Sequence, residues 1–322
     1  MELKNKNKSL SDCIFDWSFE FEKKLEKRKD EKTIQNYMNV VNQFQNFIEQ
    51  NRKYDNRNFS CVDHNLIEDY FAYRDYIQKK KTGNELKVST KRNDKKVLIL
   101  FFEYIEDEND EGFVFSIKWK KVDLGKLERK EIVYHGEDNI IKFLKYLERN
   151  LKKNRNEYSY MISFTFKLAL YGGLRASEIC NLNISSFGTP YTSKKSKKKF
   201  IPLKILGKGK TIFTNPIPYE YVKKEYNYFK RNKTGADILF RSKKELALNR
   251  FILYRYIEEI TNELGINKKG VHILRRTFAT NLGELGVDIR NVQLLMRHTD
   301  IKTTGIYMAR SQTQMEDAAS KL

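Results

Sequence analysis

The segment HILRRTFAT, residues 272–280, begins with one histidine and two arginines and then becomes mostly apolar. Arg275 keeps its positive charge at any ordinary pH, because a guanidinium group in a protein does not lose its proton. A buried or half-buried arginine therefore needs an anion beside it. No Asp or Glu lies between Gly265 and Leu282, so the anion must come from a distant part of the chain or from a bound molecule.

A helix is predicted to carry this segment. Apolar residues recur at spacings of four, four and three, the period of one core-facing helical stripe: Leu274, Phe278, Leu282 and Leu285. His272 and Arg275 are three residues apart and share a different face of the same helix. The sequence thus predicts concentrated positive charge at the start of a helix whose other face is buried.

The composition favours a folded protein that binds a polyanion. The 322 residues are enough for two domains, and 40% hydrophobic and 13% aromatic residues exclude wholesale disorder. Lys and Arg number 62 against 42 Asp and Glu, which gives a net charge of +20. Nucleic acid is the commonest partner of so basic a chain, although a lysine-rich proteome would raise the charge in the same way.

Cysteine and histidine usage argues against disulfides and metal sites. The three cysteines, Cys13, Cys61 and Cys180, are scattered without a CxxC spacing, which fits a reducing compartment. The four histidines are too far apart for the usual zinc spacings: His64, His135, His272 and His298. The N-terminus lacks a signal peptide, and apolar runs such as VLILFF are too short to span a bilayer. We expect a soluble, cytoplasmic protein without metal or cofactor.

The first third of the chain is predicted to be a small helical domain, residues 1–125. Three amphipathic patterns indicate helices, one capped by Thr33, one at 65–77 and one that begins at Ser89 or Thr90. Residues 106–134 lose the helical period and mix charge with glycine, which is typical of a linker. The domain boundary is therefore predicted near residue 125.

The remaining residues, 126–322, are predicted to be a second domain of helices with one β-hairpin. A helix should end near residue 170, break at Gly172 and Gly173, and give way to another near Arg175. Residues 199–217 carry β-branched and aromatic residues on both sides of GKGK, which indicates a hairpin with lysines at its tip. Helices resume from residue 219. The fold class is mainly α with a small β-hairpin or sheet, an α+β protein.

Four motifs in this order resemble the tyrosine recombinases, the phage-integrase and Xer family. They are GGLRASEI with Arg175 and Glu178, the hairpin tip with Lys208, HILRRTFAT with His272 and Arg275, and LLMRHTDIKTTGIYM with His298 and Tyr307. The resemblance covers residues 135–322 at motif level. The helical first domain is similar in pattern to the family's core-binding (SAM-like) domain. The stretch from Phe278 to Met308 is especially similar to the Xer members of the family. The slightly divergent sequence, in a lysine- and asparagine-rich chain, resembles the single-protein XerH type, which acts without a second recombinase.

The resemblance implies how charge is stabilised during attack on a DNA phosphodiester. Arg175 and Arg275 match the family's pair that clamps the nonbridging oxygens, where fork-shaped donors suit the developing charge. His298 matches a residue that hydrogen-bonds the phosphate. Glu178 matches the acidic residue that orients the site from behind, although simple pairing with a neighbouring lysine is an alternative.

The resemblance also implies which groups move protons. Tyr307 matches the nucleophile that forms a 3′-phosphotyrosyl bond and frees a 5′-hydroxyl. His272 matches the general base that a tyrosine with a pKa of about 10 needs. Lys208, between Gly207 and Gly209, matches the general acid for the leaving 5′-oxygen, and Lys210 is the alternative.

Two positions depart from the family's pattern. Arg276 stands where members usually have a second histidine, and Arg297 stands where they usually have glycine before the later histidine. Neither position carries a transferred proton, so activity is expected to survive. The fit of the DNA backbone at these two points is open.

The resemblance further implies a function and an assembly. The two domains should form a C-shaped clamp on double-stranded DNA, and a homotetramer should join two sites through a Holliday junction. Resolution of chromosome dimers at a dif-like site, with a DNA translocase of the FtsK type as a further partner, is one role. A mobile-element integrase shares every catalytic residue, and a non-catalytic DNA-binding protein is a third reading. The tail after Tyr307 should exchange between protomers, unless it folds back on its own.

Overall fold

The structure is a computed structural model of the chain. It describes residues 8–51, 53–54, 57–127, 134–207, 211–235, 237–242, 246–267 and 270–297. The chain divides into two compact units between residues 129 and 130, and each unit has its own hydrophobic core. No helix among the described residues is long and apolar enough to cross a membrane.

The described part of the first unit is helical. Its helices are α1 (Leu10–Glu26), α2 (Glu31–Gln50), α3 (His64–Thr82) and α4 (Val88–Glu108). The three predicted helices are confirmed as α2, α3 and α4, whereas α1 was not predicted. The predicted cap of α2 is wrong: Asp30 is the cap residue, and its carboxylate accepts a hydrogen bond from the Thr33 amide at 3.1 Å. An acidic side chain satisfies that free amide as well as a hydroxyl does.

The predicted linker is largely part of the first unit. Helix α4 continues to Glu108, and Phe115, Val122 and Leu124 are buried in the first core. The Phe115 ring packs edge-on against Phe102, with 4.8 Å between ring centroids. The helical period is lost after α4 because an irregular segment of the chain covers the helices of the first unit. The prediction that residues 106–134 form a linker is therefore wrong over most of their length.

The second unit contains seven helices and one small sheet in the described residues. In chain order the elements are α5 (Glu137–Lys153), α6 (Glu157–Gly172), α7 (Ala176–Cys180), β1 (Tyr191–Thr192), β2 (Lys199–Leu206), β3 (Ile212–Pro218), α8 (Tyr219–Asn232), α9 (Arg250–Glu263), α10 (Val271–Glu284) and α11 (Ile289–Met296). The predicted break between α6 and α7 is confirmed. The fold class, mainly helical with a small antiparallel sheet, is confirmed as well.

The sheet has the order β1-β2-β3, and all its pairs are antiparallel. Strands β2 and β3 form the predicted hairpin, with a register that runs from Phe200 opposite Pro218 to Leu206 opposite Ile212. The Gly207 amide donates to the Thr211 carbonyl at 2.7 Å and closes the described base of the hairpin. Strand β1 adds a short edge that the sequence pattern did not predict.

Helix α6 lies at the centre of the second core and packs against α8 and α10. Phe164, Phe166 and Leu168 of α6 are fully buried. On α10, Leu274 is buried as predicted, and Phe278 and Leu282 pack against Val292 and Met296 of α11. Leu285 is 79% exposed, so its predicted place in the core-facing stripe is wrong. The helix ends at Glu284, and the chain turns before Leu285 completes another turn.

Candidate active site

The turn between α6 and α7 places a backbone carbonyl at the centre of the site. Gly173 ends α6 in the left-handed conformation, with φ of 59°. A Cβ atom at this position would lie 2.5 Å from Cδ1 of Phe278, which is too close for any side chain. Glycine is thus required both by the backbone angle and by the packing of α10 against the turn. As a result, the Gly173 carbonyl faces side chains from α10 and from the end of α11.

Arg175 and Glu178 are held together by the first turn of α7. The Glu178 carboxylate accepts the Arg175 backbone amide at 2.8 Å, which satisfies a free donor at the helix start. The same carboxylate accepts Nη1 of Arg175 at 2.7 Å. Glu178 therefore pairs with an arginine at close range, and the neighbouring-lysine alternative does not describe its contacts here.

Arg275 on α10 is buried and has its protein partners far away in the sequence. Its Nη1 donates to the Gly173 carbonyl, and its Nη2 donates to the Met296 carbonyl at the end of α11. Nη1 also lies 3.6 Å from Oε2 of Glu178. The anion beside Arg275 in the described structure is thus Glu178, a distant acidic residue, whereas the family resemblance implied that this anion is the scissile phosphate.

Arg297 joins the same cluster as a third arginine. Its side chain is buried, with Nη2 at 2.7 Å from one Glu178 oxygen and Nε at 3.3 Å from the other. Nη2 also donates to the Gly173 carbonyl at 3.0 Å, and Nη1 donates to the Leu295 carbonyl at 2.7 Å. The sequence identified Arg297 only as a departure from a family pattern and did not predict this contact with Glu178.

The charges of the cluster do not balance. Three guanidinium groups surround the single carboxylate of Glu178, so the described cluster carries excess positive charge. Burial alone would raise the pKa of Glu178, but the hydrogen bonds and charges of Arg297, the Arg175 amide and Arg275 outweigh it and lower the pKa. The exposed fractions of the side chains are 36% for Arg175, 6% for Arg275 and 1% for Arg297. Of the three, Arg175 is therefore the one that presents its guanidinium group to solvent.

His272 lies one helical turn before Arg275 and is exposed. Its ring packs near Tyr254, with 5.6 Å between ring centroids. Desolvation of the imidazole lowers the pKa of His272, and the positive charges of Arg275, Arg276 and Arg175 lower it further. The lowered pKa favours the neutral form of the imidazole, which can accept a proton.

Asn215 connects the hairpin to the cluster. This β3 residue is buried, and its Nδ2 donates to the Leu295 carbonyl at 2.8 Å. The same carbonyl accepts Nη1 of Arg297, so the hairpin strand and the end of α11 share one acceptor. Sequence reasoning missed Asn215, because no spacing within the hairpin indicates a contact 80 residues away.

Residues 135–314 match the Phage integrase family, which is more than half of the 322 residues. The chain belongs to this family. The tyrosine recombinase XerA of Pyrococcus furiosus is 34% identical over 158 residues, covering 48% of this chain and 52% of that protein. The tyrosine recombinase XerH of Helicobacter pylori is 26% identical over 249 residues, covering 73% of this chain and 66% of that protein. The chain thus spans only about half the length of the first relative.

Solved structures show the same fold over almost the whole chain. A XerH recombinase bound to palindromic difH, in a post-cleavage complex, has a TM-score of 0.77 at 19% identity and covers 99% of this chain and 98% of that one. The Tn1549 transposon integrase, in complex with a circular intermediate DNA, has a TM-score of 0.67 at 16% identity, covering 96% and 99%. The resemblance to the tyrosine recombinases that the motifs indicated is confirmed.

Of the predicted site residues, the structure brings together Arg175, Glu178 and Arg275, with His272 on the same helix as Arg275. Lys208, Lys210, His298 and Tyr307 lie outside the described residues. Within the described ranges, no three His, Cys, Asp or Glu side chains are arranged to hold a metal ion.

Proposed function

We propose that this phage integrase family member is a tyrosine site-specific recombinase that breaks and rejoins double-stranded DNA. The observation that carries the proposal is the cluster in which three guanidinium groups face one ionised carboxylate, with His272 one helical turn before Arg275. Such a site has positive charge to spare for an anion. In a chain with a net charge of +20, a DNA phosphodiester is the anion that fits.

In the proposed reaction, the arginines stabilise the charge that develops on the scissile phosphate. Arg175 is the exposed guanidinium and meets a nonbridging oxygen first. Arg275 is the second donor, and it turns from the Gly173 carbonyl to the phosphate when DNA is bound. Glu178 positions Arg175 from behind, and His298 adds a hydrogen bond to the phosphate. Preorganised donors of this kind are worth roughly 10²–10³ in rate each.

The covalent step exchanges one phosphoester for another. The Tyr307 oxygen attacks the phosphorus, a 3′-phosphotyrosyl bond forms, and the bond from phosphorus to the 5′-oxygen breaks. His272 accepts the tyrosine proton, for which its neutral form is suited. Lys208, or Lys210 in the same hairpin tip, donates a proton to the 5′-oxygen. Rejoining reverses these steps with the 5′-hydroxyl of a partner strand and passes through a Holliday junction.

The two units are proposed to share the binding of DNA. The first unit would act as a helical core-binding domain and the second as the catalytic domain. In the first unit, α3 ends in three exposed lysines, Lys79, Lys80 and Lys81. Such clusters contact phosphates without reading sequence. A homotetramer on two DNA sites completes the proposed assembly.

The biological role is proposed to be resolution of chromosome dimers at a dif-like site, with a translocase of the FtsK type as a further partner. The fold similarity to a XerH recombinase, at a TM-score of 0.77, supports this role. The fold similarity to the Tn1549 transposon integrase, at 0.67, supports the alternative of a mobile-element integrase. Both roles use the same chemistry.

The test of the chemistry is covalent trapping on a nicked suicide substrate. The natural chain should form a protein–DNA adduct, whereas Tyr307→Phe should form none and still bind DNA with near-natural affinity. One hydroxyl contributes little to a large phosphate-contacting surface. Tyr76→Phe, which alters an exposed tyrosine of the first unit, is the matched control and should form adducts normally.

Two results would contradict the proposal. A natural chain that binds DNA without any adduct would be a non-catalytic DNA-binding protein. An adduct that persists in Tyr307→Phe would assign the nucleophile to another residue. Sequencing genomic DNA that is trapped covalently on the protein in cells then separates the two roles, because a chromosomal dif-like site and the ends of a mobile element differ in sequence and position.

A further inference from the structure

Arg297 adopts a backbone conformation that glycine would adopt without strain. It ends α11 with φ of 53° and ψ of 44°, in the left-handed region. Apart from Lys197, no other non-glycine residue among those described has a positive φ. A non-glycine residue in this region is uncommon because its Cβ crowds the backbone. We therefore expect the side chain of Arg297 to make stabilising contacts that offset the backbone strain.

The N–H donors of the Arg297 guanidinium group make hydrogen bonds to acceptors within the protein. Nε and Nη2 each donate a hydrogen bond to one of the two Glu178 oxygens. Lysine cannot form this bidentate pair, because it lacks the fork of two N–H donors. Nη2 and Nη1 also bind the carbonyls of Gly173 and Leu295. With 1% of its side chain exposed, Arg297 directs these donors to protein oxygens and not to solvent.

Arg297 is connected by hydrogen bonds to each of the elements that form the described cluster. Through Glu178 it reaches Arg175 on α7, and it shares the Gly173 carbonyl with Arg275 of α10. Arg297 also shares the Leu295 carbonyl with the hairpin residue Asn215. Its own carbonyl accepts Nη2 of Arg175 at 3.3 Å. A single side chain thus connects the two arginines, the carboxylate and the hairpin.

We propose that Arg297 is a positioning residue for DNA cleavage, which balances the charge of Glu178 so that Arg175 remains available to the scissile phosphate. This inference rests on the proposed recombinase function. Without Arg297, the buried carboxylate would keep Arg175 and Arg275 as its cationic neighbours among the described residues. It would then draw the more exposed of them, Arg175, into full pairing and away from the DNA.

The proposal is tested by measuring the cleavage rate of the bound complex on a nicked suicide substrate. Arg297→Gly removes the side chain and relieves the backbone strain, yet cleavage should slow by about 10²-fold, the effect of a displaced catalytic group. Arg297→Lys keeps a charge without the fork and should restore the rate in part. Lys197→Gly is the matched control. Lys197 is the other described non-glycine residue with a positive φ, and it is an exposed cation. The DNA complex of this variant should cleave at the natural rate.

A double variant separates positioning from a merely structural role. Glu178→Gln combined with Arg297→Gly removes the carboxylate that would capture Arg175. This double variant should therefore cleave faster than Arg297→Gly alone. A structural role predicts that the double variant is at least as impaired as either single variant, with thermal unfolding temperatures falling in the same order.

The pH dependence gives an independent readout. Among the described residues, the charged groups that face Glu178 are Arg175, Arg275 and Arg297, and only the last is lost in Arg297→Gly. Without Arg297, less positive charge counteracts the effect of burial, which raises the pKa of Glu178. The Glu178 carboxyl then becomes protonated at a higher pH and releases Arg175. The ratio of the Arg297→Gly rate to the natural rate should thus rise as the pH falls. The ratio for the double variant should stay constant.

Each outcome decides the question. An unchanged rate in Arg297→Gly, or a slow rate with a pH-independent ratio and no recovery in the double variant, overturns the positioning role alone. The absence of any adduct from the natural chain overturns the proposed recombinase function and this role with it. A natural chain that forms adducts, together with the slow single variant and the recovered double variant, supports both.

Discussion

At the scale of single residues, Glu178 shows how a buried charge is tolerated. Burial disfavours its ionised form, but the guanidinium groups of Arg297 and Arg275 and the backbone amide of Arg175 more than compensate, so the pKa of Glu178 is lowered. A carboxyl with a lowered pKa stabilises the fold above its ordinary pKa, and that stability is lost as the pH falls through the lowered value. The three-residue spacing of Arg175 and Glu178 is visible in the sequence, but their partner Arg297 lies 119 residues beyond Glu178. Only the tertiary fold brings that third charge into the cluster.

His272 provides a residue-scale prediction in the DNA-free protein. Desolvation and the positive charges of its arginine neighbours lower its pKa, so its imidazole should titrate below the ordinary value of about 6.5. The folded state then binds fewer protons than the unfolded state, and His272 makes the fold less stable as the pH drops below that value. NMR titration, with the signal assigned by His272→Gln, measures the midpoint. Binding of DNA should raise it, and a free-protein midpoint above 6.5 would contradict the electrostatic argument.

At the scale of elements, local signals succeeded where one chemical feature decides the structure. The paired glycines predicted the break between α6 and α7, and the GKGK sequence predicted the hairpin. Local sequence patterns did not predict the structure where tertiary packing determines it. Residues 113–124 lack a period because they cover the first core as an irregular segment. Helix α1 was missed although Ser9 and Asp12 form a capping box at its start.

Gly173→Ala is the element-scale prediction. The new methyl group would meet the Phe278 ring at 2.5 Å, and the backbone would have to leave its φ of 59° or strain to keep it. We expect the free energy of unfolding to fall by about 1–3 kcal/mol. DNA cleavage should fall as well, because the Gly173 carbonyl positions both Arg275 and Arg297.

Urea unfolding and the suicide-substrate assay measure the two effects of Gly173→Ala. Gly235→Ala is the matched control: the nearest atom to a Cβ at this position is Cβ of Ser185 at 3.8 Å, an ordinary contact, and its φ is not positive. That control should change the free energy of unfolding by less than about 0.5 kcal/mol. If Gly173→Ala were as mild as the control, the turn would not need glycine and the close contact with Phe278 would be wrong.

At the scale of the whole molecule, the sequence supports two units with separate cores and a large excess of positive charge. The buried aromatic residues fall into two clusters that do not share members. Charge of +20 opposes self-association in the absence of an anion. We therefore expect protomers to assemble on DNA, where phosphates screen the repulsion and apolar contacts can form. The segment proposed to make such contacts, the tail after Tyr307, lies outside the described residues.

Deleting residues 311–322 tests that assembly. In the tail, Met315, Ala318, Ala319 and Leu322 are spaced by three, one and three residues, which gives a narrow apolar stripe on a short helix. A helix of fewer than about 15 residues is marginal alone in water, so it should gain stability by docking on a neighbouring protomer. Head-to-tail docking would couple the Tyr307 residues of neighbouring protomers, so that half of the sites cut at a time. The truncated chain should bind a single site normally in a mobility-shift assay but fail to pair two sites or exchange strands. Pairing and recombination at the full-length rate would mean that the tail folds back on its own protomer and that another surface joins the tetramer.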